Sequence, residues 1–251
     1  MTTLLITGAS RGIGAATARL AAARGFDVAV NYTRDATAAE AVADEVRAAG
    51  RRAVTLRADV ADEAAVQAMF QMLDQRVAEG WAPISGLVNN AGVVDLPARV
   101  DEMTGARLQR MFAINVFGSM YCAREVLRRM SRRHGGAGGA IVNVSSAAAR
   151  LGSPGQYVDY AAAKGAIDTF THGLALEVAA EGVRVNAVRP GLISTEIHAS
   201  GGLPDRAERL ANTVPMERAG SAEEVAEAIV WLLSEQAGYV TGSIIDVSGG
   251  R

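Results

Sequence analysis

Short apolar runs alternate with helical segments along the whole chain, and this alternation restricts the fold more than any other feature of the sequence. The runs are almost continuously apolar, as expected for strands that are buried on both faces. Strands of this kind with helices between them predict a parallel sheet that has helices on both faces. No second domain separates out, so we expect one domain over residues 1–251. The seven predicted strands are 4–7, 26–32, 53–57, 86–89, 140–145, 183–188 and 244–247.

Several of the helical segments carry recognisable ends. Thr104 is expected to cap a long helix that reaches about Arg133, and Ser221 with Glu224 forms a capping box at the start of another helix. Gly50 is expected to end the second helix. The predicted helices cover 15–24, 35–49, 62–80, 104–133, a segment that includes Tyr160 and Lys164, and a segment from 221 onward.

Three glycines lie between the first predicted strand and the first predicted helix. Gly8, Gly12 and Gly14 have the spacing G-x-x-x-G-x-G, which differs from the dinucleotide fingerprint G-x-G-x-x-G. Glycine lets the backbone approach a pyrophosphate closely, and a helix N-terminus presents unpaired N–H groups and a positive dipole. The loop is therefore a candidate phosphate-binding site, and the alternative is an ordinary glycine-rich turn.

The carboxyl ends of the strands are where ligands of such sheets bind. A long connection, residues 192–219, follows the sixth strand and lacks a strong periodic pattern. Its glycines and prolines suggest a lid over the substrate. Small and polar residues concentrate at this edge, so we expect the functional site in the loops at 8–14, 59–60, 89–92, 145–146 and 190–191.

Tyr160 and Lys164 are about one helical turn apart, so they share a face of their helix. A phenol titrates near pH ~10 and is a poor base at neutrality. An ammonium beside it favours the phenolate and is expected to lower the pKa of Tyr160. The pair is a candidate proton-transfer device. The alternative, for this pair in isolation, is a half-exposed helix face.

Composition argues against several classes of function. The net charge of −2 points to neither a nucleic-acid nor a membrane partner. Cys122 is the only cysteine, so no intrachain disulfide can form. The sequence shows neither a signal peptide nor an apolar run of about 18 residues. We therefore expect a cytoplasmic protein. His134, His172 and His198 lack metal-ligand spacing, so we expect no metal site. We assign a structural role to His172 and a place in the lid to His198.

Together, these motifs resemble those of the short-chain dehydrogenase/reductase family, in its group with a Thr-Gly-x-x-x-Gly-x-Gly loop. The likeness covers nearly the whole chain. Within the family, the chain resembles bacterial 3-oxoacyl-carrier-protein reductases and sugar or polyol dehydrogenases about equally well. The resemblance implies an α/β fold with a single doubly wound Rossmann-type domain, a nicotinamide cofactor and a catalytic tetrad. The matching residues are the loop from Thr7 to Gly14, Asp59, Val60, Asn89, Asn90, Ala91, Gly92, Asn115, Ser146, Tyr160, Lys164, Pro190 and Gly191.

The resemblance also implies a role for each member of the tetrad. Asn115 would hold a helix kink and an ordered water of a proton relay. Ser146 would hydrogen-bond the carbonyl or hydroxyl of the substrate. Tyr160 would transfer the proton, and Lys164 would bind the nicotinamide ribose and lower the pKa of the tyrosine.

Two features depart from the family pattern. Ser146 and Tyr160 lie one residue farther apart than is commonest, which makes Ser145 a rival, although Ser146 fits the strand-end pattern better. Tyr157 is a second tyrosine nearby, but it lies two helical turns before Lys164. We therefore assign Tyr157 to the wall of the substrate site.

The expected cofactor is NADP(H), with NAD(H) also possible. An NAD site needs a carboxylate at the end of the second strand to accept bonds from the ribose 2′-hydroxyl, and Tyr32 stands there instead. Arg11 and Arg34 could pair with a 2′-phosphate, although Asp35 could neutralise Arg34. The predicted cofactor site comprises Gly8, Ser10, Arg11, Gly12, Ile13, Gly14, Asn31, Tyr32, Thr33, Arg34, Asp59, Val60, Asn89, Ala91, Gly92, Tyr160, Lys164, Pro190, Gly191, Ile193 and Thr195.

The predicted activity is hydride transfer between NADP(H) and a small-molecule ketone or secondary alcohol. A 3-oxoacyl thioester reductase and a sugar or polyol dehydrogenase are alternatives within this class, and a nucleotide-binding sensor without catalysis is the alternative outside it. The resemblance implies a homotetramer. Arg128, Arg129, Arg132 and Arg133 form a basic helix end, which is either a solvated terminus or a docking site for an acidic acyl carrier protein.

Overall fold

The computed structural model describes residues 2–197, 201–203 and 205–251. Its strands are β1 (Thr2–Ile6), β2 (Phe26–Tyr32), β3 (Ala53–Arg57), β4 (Ile84–Asn89), β5 (Gly139–Val144), β6 (Val183–Pro190) and β7 (Ile244–Val247). They form one sheet in the order β3-β2-β1-β4-β5-β6-β7, and every neighbouring pair is parallel. This confirms the predicted α/β fold. The strand order reverses between β1 and β4, which opens a crevice at the carboxyl ends of the strands.

Helices cover both faces of this sheet. They are α1 (Gly12–Ala23), α2 (Ala36–Ala48), α3 (Glu63–Ala78), α4 (Gly105–Phe112), α5 (Gly118–Met130), α6 (Ala148–Leu151), α7 (Val158–Val178), α8 (Arg206–Leu210) and α9 (Ala222–Leu233). Successive strand residues point to opposite faces, so Leu4 and Ile6 of β1 belong to one buried cluster and Leu5 to another. The first cluster packs against α1, α2 and α9, and the second against α3, α5 and α7.

The predicted long helix at 104–133 needs a correction. It starts after Thr104 as expected, but a π-helical turn, Ala113–Phe117, separates α4 from α5. The helix then ends at Met130, because Ser131 adopts an extended backbone. A π turn inside an α-helix is frequent at functional sites, and this one carries a member of the predicted tetrad.

A side chain caps the amino-terminal end of several of the longer helices, but not that of α1. Asp35, Asp62 and Thr104 cap α2, α3 and α4, and Ser221 forms the predicted capping box of α9. Each such cap typically stabilises a helix by ~1 kcal/mol. In the described residues no side chain caps α1, whose N-cap position is Arg11. The N–H groups at the start of α1 are therefore left for another partner.

The connection between β6 and α9 holds the segment predicted as a lid, residues 192–219. It contains α8 and a 3-10 turn, Ala211–Thr213, and a bridge between Ile193 and Gly220 brings its two ends together. His198, which we assigned to the lid, lies outside the described residues. A small apolar cluster inside the segment consists of Leu192, Ala207 and Val214.

Candidate active site

The glycine loop between β1 and α1 is packed so tightly that two of its glycines exclude a side chain. A Cβ on Gly8, whose φ is +61°, would lie 2.9 Å from the Cα of Ala91. A Cβ on Gly14 would lie 2.6 Å from the Nδ2 of Asn90. The buried side chain of Asn31 also holds the loop, because its Oδ1 accepts a hydrogen bond from the N–H of Gly8 at 3.1 Å. The loop backbone is thus pressed against its surroundings, as in a phosphate cradle.

The uncapped start of α1 lies at the end of this loop. Unpaired N–H groups and the helix dipole favour an anion at such a terminus. Arg11 is exposed there, Ser10 is partly exposed, and Ile13 of the first turn lines the cleft described below. These residues fit the pyrophosphate of a dinucleotide, because they combine a close backbone, uncapped amides and a cation.

The ends of β2 and β3 continue the same edge. Tyr32 is partly exposed and pairs in register with Arg57, while Thr33 and Arg34 are exposed. Asp35 caps α2, and no ion pair joins it to Arg34 among the described residues. The expected neutralisation of Arg34 is therefore not observed. Sequence reasoning missed Arg57, because only the pairing of the two strands places it beside Tyr32.

Four residues of the predicted cofactor site shape this edge from within the protein. The amide of Asn31 donates to two main-chain carbonyls at and after the end of β3, and the amide of Asn89 donates to Asn143 at 2.9 Å. The exposed Asp59 accepts a hydrogen bond from a nearby N–H of its own turn. Val60 is buried against the start of α5. The side chain of Asn31 and the Nδ2 of Asn89 are thus already committed to protein partners, whereas the buried Oδ1 of Asn89 has no hydrogen-bond partner among the described residues.

A cleft of about 180 Å³ opens at the carboxyl ends of the central strands. Ser146, Tyr160 and Lys164 of the predicted tetrad line it together, and so does Tyr157. Gly92 and four further residues of the predicted cofactor site also line it, namely Pro190, Gly191, Ile193 and Thr195. Sequence reasoning missed several lining residues, because they come from short helices and loops whose side chains give no periodic signal. These are Val94, Leu151, Ser153, Ile197, Arg206 and Arg251.

The two adjacent serines at the end of β5 differ in what their hydroxyls contact. Ser145 is buried and donates to the carbonyl oxygen of Lys164 at 3.2 Å. Ser146 is partly exposed, accepts a hydrogen bond from the N–H of Ala148 at 3.1 Å, and hydrogen-bonds Tyr160. The geometry favours Ser146 as the serine that faces a substrate, because the hydroxyl proton of Ser145 is used on the backbone.

Burial dominates the ionisation of both members of the tyrosine–lysine pair. Desolvation raises the pKa of Tyr160 to about 12, against the effect of its hydrogen bond with Ser146. Desolvation lowers the pKa of Lys164 to about 8, against the attraction of Asp168. The ammonium donates to the carbonyl of Val144 at 2.7 Å and lies 5.6 Å from the centre of the Tyr160 ring. The expected lowering of the tyrosine pKa by Lys164 is not found in this structure, where desolvation is the largest influence and Ser146 is the group that opposes it.

Asn115, the fourth member of the predicted tetrad, lies in the π turn next to the cleft. Its Nδ2 donates to the carbonyls of Met111 and Val93, each at 3.0 Å, and its Oδ1 accepts from the N–H of Val93 at 3.2 Å. A Cβ on Gly92 would lie 2.8 Å from this Oδ1 and 3.6 Å from the Nζ of Lys164. Asn115 therefore anchors the loop after β4 beside the lysine.

A buried ion pair holds the residue that precedes Tyr160. The Nε and Nη2 of Arg107 lie 2.7 and 3.2 Å from the two carboxylate oxygens of Asp159, whose side chain is fully buried. The third guanidinium nitrogen donates to the carbonyl of Leu96 at 2.6 Å. One arginine thus ties α4, the loop after β4 and the first turn of α7 together. Sequence reasoning missed the pair because 52 positions separate its members.

The basic helix end at 128–133 lies at the opposite edge of the sheet from the cleft. It follows α5 and leads into the amino end of β5. Arg129 pairs with Asp74 at 2.6 Å and with Glu125 at 3.2 Å, and Arg128 pairs with Glu125 at 2.8 Å. Position and pairing favour a solvated terminus over a docking site for a carrier protein.

The fold and the cleft define a doubly wound α/β protein in which a tyrosine and a lysine line a cleft at the carboxyl ends of the strands. The family model described as enoyl-(acyl carrier protein) reductase matches residues 8–251. The uncharacterized oxidoreductase YgfF of Escherichia coli (strain K12) is 55% identical over 100% of both chains. A cis-4-hydroxycyclohexanecarboxylate dehydrogenase of Sinomonas cyclohexanicum is 41% identical over 98% of this chain and 94% of that protein.

A solved structure agrees with these relatives. The short-chain type dehydrogenase/reductase from Mycobacterium marinum superimposes with a TM-score of 0.90 at 33% identity, covering 99% of this chain and 94% of the other. The chain therefore belongs to the short-chain dehydrogenase/reductase family of oxidoreductases, as its motifs indicated, and this family uses nicotinamide cofactors.

Four findings concern other chemistry in the described ranges. No helix there has both the length and the apolar character of a membrane span. No group of three or more His, Cys, Asp or Glu residues is arranged there to hold a metal ion. The thiol of Cys122 is buried, and desolvation raises its pKa to about 12, so it is protonated and unreactive at neutral pH. His172 is exposed on α7.

Proposed function

We propose that this protein transfers a hydride between NADP(H) and a small ketone or secondary alcohol, with Tyr160 as general acid or base. The observation that carries the proposal is the continuity of the cleft. Ser146, Tyr160 and Lys164 line the same space as Ile13 of the phosphate cradle. A redox reaction at a carbonyl needs a bound dinucleotide and a proton donor within one cavity.

The proposed mechanism assigns one task to each side chain, while the bound cofactor supplies or accepts the hydride. Ser146 donates a hydrogen bond to the substrate oxygen and polarises the carbonyl. Tyr160 is protonated at neutral pH and gives its proton to that oxygen during reduction. Lys164, with a pKa of about 8, is largely cationic at pH 7 and stabilises the phenolate as it forms. Asn115 holds the loop beside Lys164 and, in the proposed relay, an ordered water.

The proposed preference for NADP(H) rests on the charges near Tyr32. Arg11, Arg34 and Arg57 are exposed at this edge, and none of them forms an ion pair within the part of the chain that is described. Guanidinium groups donate paired hydrogen bonds to phosphate and keep their charge. No carboxylate of the β2 end competes, since Asp35 caps α2. NAD(H) would bind without the benefit of these cations.

The lining of the cleft bears on the two alternatives within the enzyme class. The matching family description names an enoyl-(acyl carrier protein) substrate, and one relative is named for a cyclic hydroxy acid. Apolar side chains around the cleft favour a substrate with an apolar body over a sugar or polyol. These side chains are Val94, Leu151, Leu192 and Ile197.

We also propose that residues 192–219 act as a lid within a single domain over residues 1–251, and that the protein is a cytoplasmic homotetramer. The lid proposal is supported by Gly12, because a Cβ there would lie 3.6 Å from Thr195 and from the Oε2 of Glu196. The segment thus reaches the glycine loop. The oligomer proposal is supported by exposed apolar side chains on the outer helices, such as Leu176 and Trp231.

Replacing the phenol of Tyr160 tests the function. The Tyr160→Phe variant should lose turnover by roughly 10²–10⁴-fold, because it removes only the transferred proton. The measurement is kcat/KM for NADPH oxidation with a panel of acetoacetyl thioesters, compact ketones, diketones, quinones and sugars. NADPH affinity, followed by fluorescence, should be largely retained. The matched control is Tyr121→Phe, since Tyr121 lies on α5 and does not line the cleft.

Two results would contradict the proposal in different ways. Wild-type turnover in Tyr160→Phe would remove this residue from the mechanism. A wild-type protein that binds NADPH but reduces none of the panel would instead support the sensor alternative.

A further inference from the structure

The charged side chains among the residues that line the cleft are all cationic. Its lining side chains include Lys164, Arg206 and Arg251, and no aspartate or glutamate of the described residues is among them. The ammonium of Lys164 is committed to the carbonyl of Val144. A cleft with this lining attracts an anion, and low-dielectric walls strengthen that attraction.

Arg206 is the cation that is best placed to act on a ligand. It is the first residue of α8, it is partly exposed, and its guanidinium carbon lies 5.3 Å from the centre of the Tyr157 ring. Tyr157 is only 7% exposed, so this ring provides a fixed platform for the guanidinium. The described residues include no carboxylate paired with Arg206, whereas Arg209 on the same helix pairs with Asp205 at 3.8 Å.

The remaining walls of the cleft limit the ligand in size and polarity. The volume of about 180 Å³ is below the ~300–1,000 Å³ of pockets that hold drug-sized ligands. Leu151, Leu192 and Ile197 line the same cleft as Ser146, Tyr160 and Arg206 and add apolar surface to it. The ligand body is therefore compact and apolar, with one end at the proton-transfer pair and a second end that meets a cation.

We propose that Arg206 determines substrate specificity by binding a carboxylate on a compact, apolar ketone or secondary alcohol whose oxygen reacts at Tyr160. A guanidinium binds a carboxylate with two parallel hydrogen bonds, and the contact with the Tyr157 ring would fix the orientation of the Arg206 guanidinium for this purpose. This inference rests on the proposed function, since it identifies the substrate class of the same cleft. Arg206 belongs to the segment proposed as a lid, so binding of the carboxylate also joins that segment to the substrate.

The test compares two probes that differ in charge. These are 4-oxocyclohexanecarboxylate and its methyl ester, each reduced with NADPH at constant ionic strength. The wild type should prefer the carboxylate. In Arg206→Gln the ratio of kcat/KM for carboxylate over ester should fall by roughly 10- to 100-fold, as expected for a lost charge-assisted pair. The ratio for Arg206→Lys should lie between those of the wild type and Arg206→Gln. Arg209→Gln, the matched control on α8, should keep the wild-type ratio.

A binding measurement separates this inference from the proposed function. Calorimetric titration with cyclohexanecarboxylate should show binding that Arg206→Gln weakens and Arg209→Gln does not. If that binding is found but no ketone is reduced, Arg206 is an anion site and the proposed function is wrong. If ketones are reduced without preference for the carboxylate, the function stands and this inference is wrong. Equal losses for both probes in Arg206→Gln, or a loss of NADPH affinity alone, would also overturn it.

Discussion

The two halves of the crevice are built in different ways. On the cofactor side, the glycine loop is held by backbone packing and by the side-chain amides of the buried Asn31 and the partly buried Asn90. On the substrate side, the positions depend on charged side chains from distant segments, as in the pair between Arg107 and Asp159. A backbone cradle tolerates little change and suits a constant ligand. Side-chain contacts between separate elements can be exchanged one at a time, which suits a variable substrate.

The helix starts show the same contrast. α2 begins at Asp35, whose carboxylate accepts a hydrogen bond from the first turn at 2.9 Å. α1 begins at Arg11 with no side-chain cap in the described chain. A cap is worth ~1 kcal/mol of helix stability, and its omission at α1 leaves amides that can bind phosphate. At the start of α1 this stabilisation is absent, and a bound phosphate can take the place of the cap.

Breaking the ion pair on the substrate side is expected to have the largest effect on stability. Asp159→Asn leaves the guanidinium of Arg107 without its charged partner, and loss of one member of a buried pair costs about 3–5 kcal/mol. Urea unfolding should show a loss of this order. Turnover should fall while NADPH affinity changes little, because the pair holds the first turn of α7 rather than the glycine loop.

An exposed pair provides the control for this prediction. Asp101→Asn removes the partner of Arg99, and both side chains of that pair are largely exposed. Its cost should stay below ~1 kcal/mol. If Asp159→Asn were as stable as Asp101→Asn, the substrate side would not depend on its charged contacts.

Crowding the backbone cradle should have a smaller effect on stability but a direct effect on the cofactor. The new methyl of Gly14→Ala would lie 2.6 Å from the Nδ2 of Asn90 and 2.7 Å from the carbonyl oxygen of Gly8. Overpacking of this kind costs about 1–3 kcal/mol. The start of α1 must shift, so NADPH affinity should fall at least ~10-fold by fluorescence titration. Gly173→Ala on α7 meets nothing within 4 Å and should retain affinity.

A folded Gly14→Ala variant with unchanged NADPH affinity would show that the glycine loop is an ordinary turn. The cofactor side of the crevice would then not depend on backbone packing in the way described above.

The smallest expected effect concerns cofactor preference. Wild type should favour NADPH over NADH, and Arg11→Ala should lower the ratio of their kcat/KM values by roughly 10-fold, as for one charge-assisted hydrogen bond. Tyr32→Asp should lower it similarly, because a carboxylate repels the 2′-phosphate and accepts from a ribose hydroxyl. Arg24→Ala, at the far end of α1, is the control. A wild type that favours NADH, with no effect of Arg11→Ala, would refute the preference.

Much of the architecture was predictable because it depends on local patterns. All seven strands were predicted from apolar runs, and the boundaries that differ do so by one or two residues, as at β6, which extends to Pro190. The start of α4 at Thr104 and the capping box at Ser221 were also predicted, since a cap involves residues only a few positions apart. The end of the long helix was not, because Ser131 leaves the helix through its packing and hydrogen bonding in the folded chain.

In the candidate site, too, the features that depend on short-range spacing were predictable and those that depend on tertiary contacts were not. The spacing of Tyr160 and Lys164 on one helix placed them together, and the structure brings them into one cleft with Ser146. The direction of the tyrosine pKa was wrong for this structure, because a charge pair can be read from spacing but desolvation cannot. The register of Arg57 with Tyr32 likewise depends on how two strands pair.

For this protein, periodicity and short-range spacing were enough to specify the parallel sheet, the glycine loop and the tyrosine–lysine pair, because each arises from residues close together in the chain. Tertiary structure alone decided which serine keeps a hydroxyl facing the cleft, that Arg107 meets Asp159, and that Arg206 lies over Tyr157. The physical reason is that burial and pairing depend on which distant segments meet. The chemistry common to the family follows from local sequence, and the contacts that would select a substrate follow from the packing of loops.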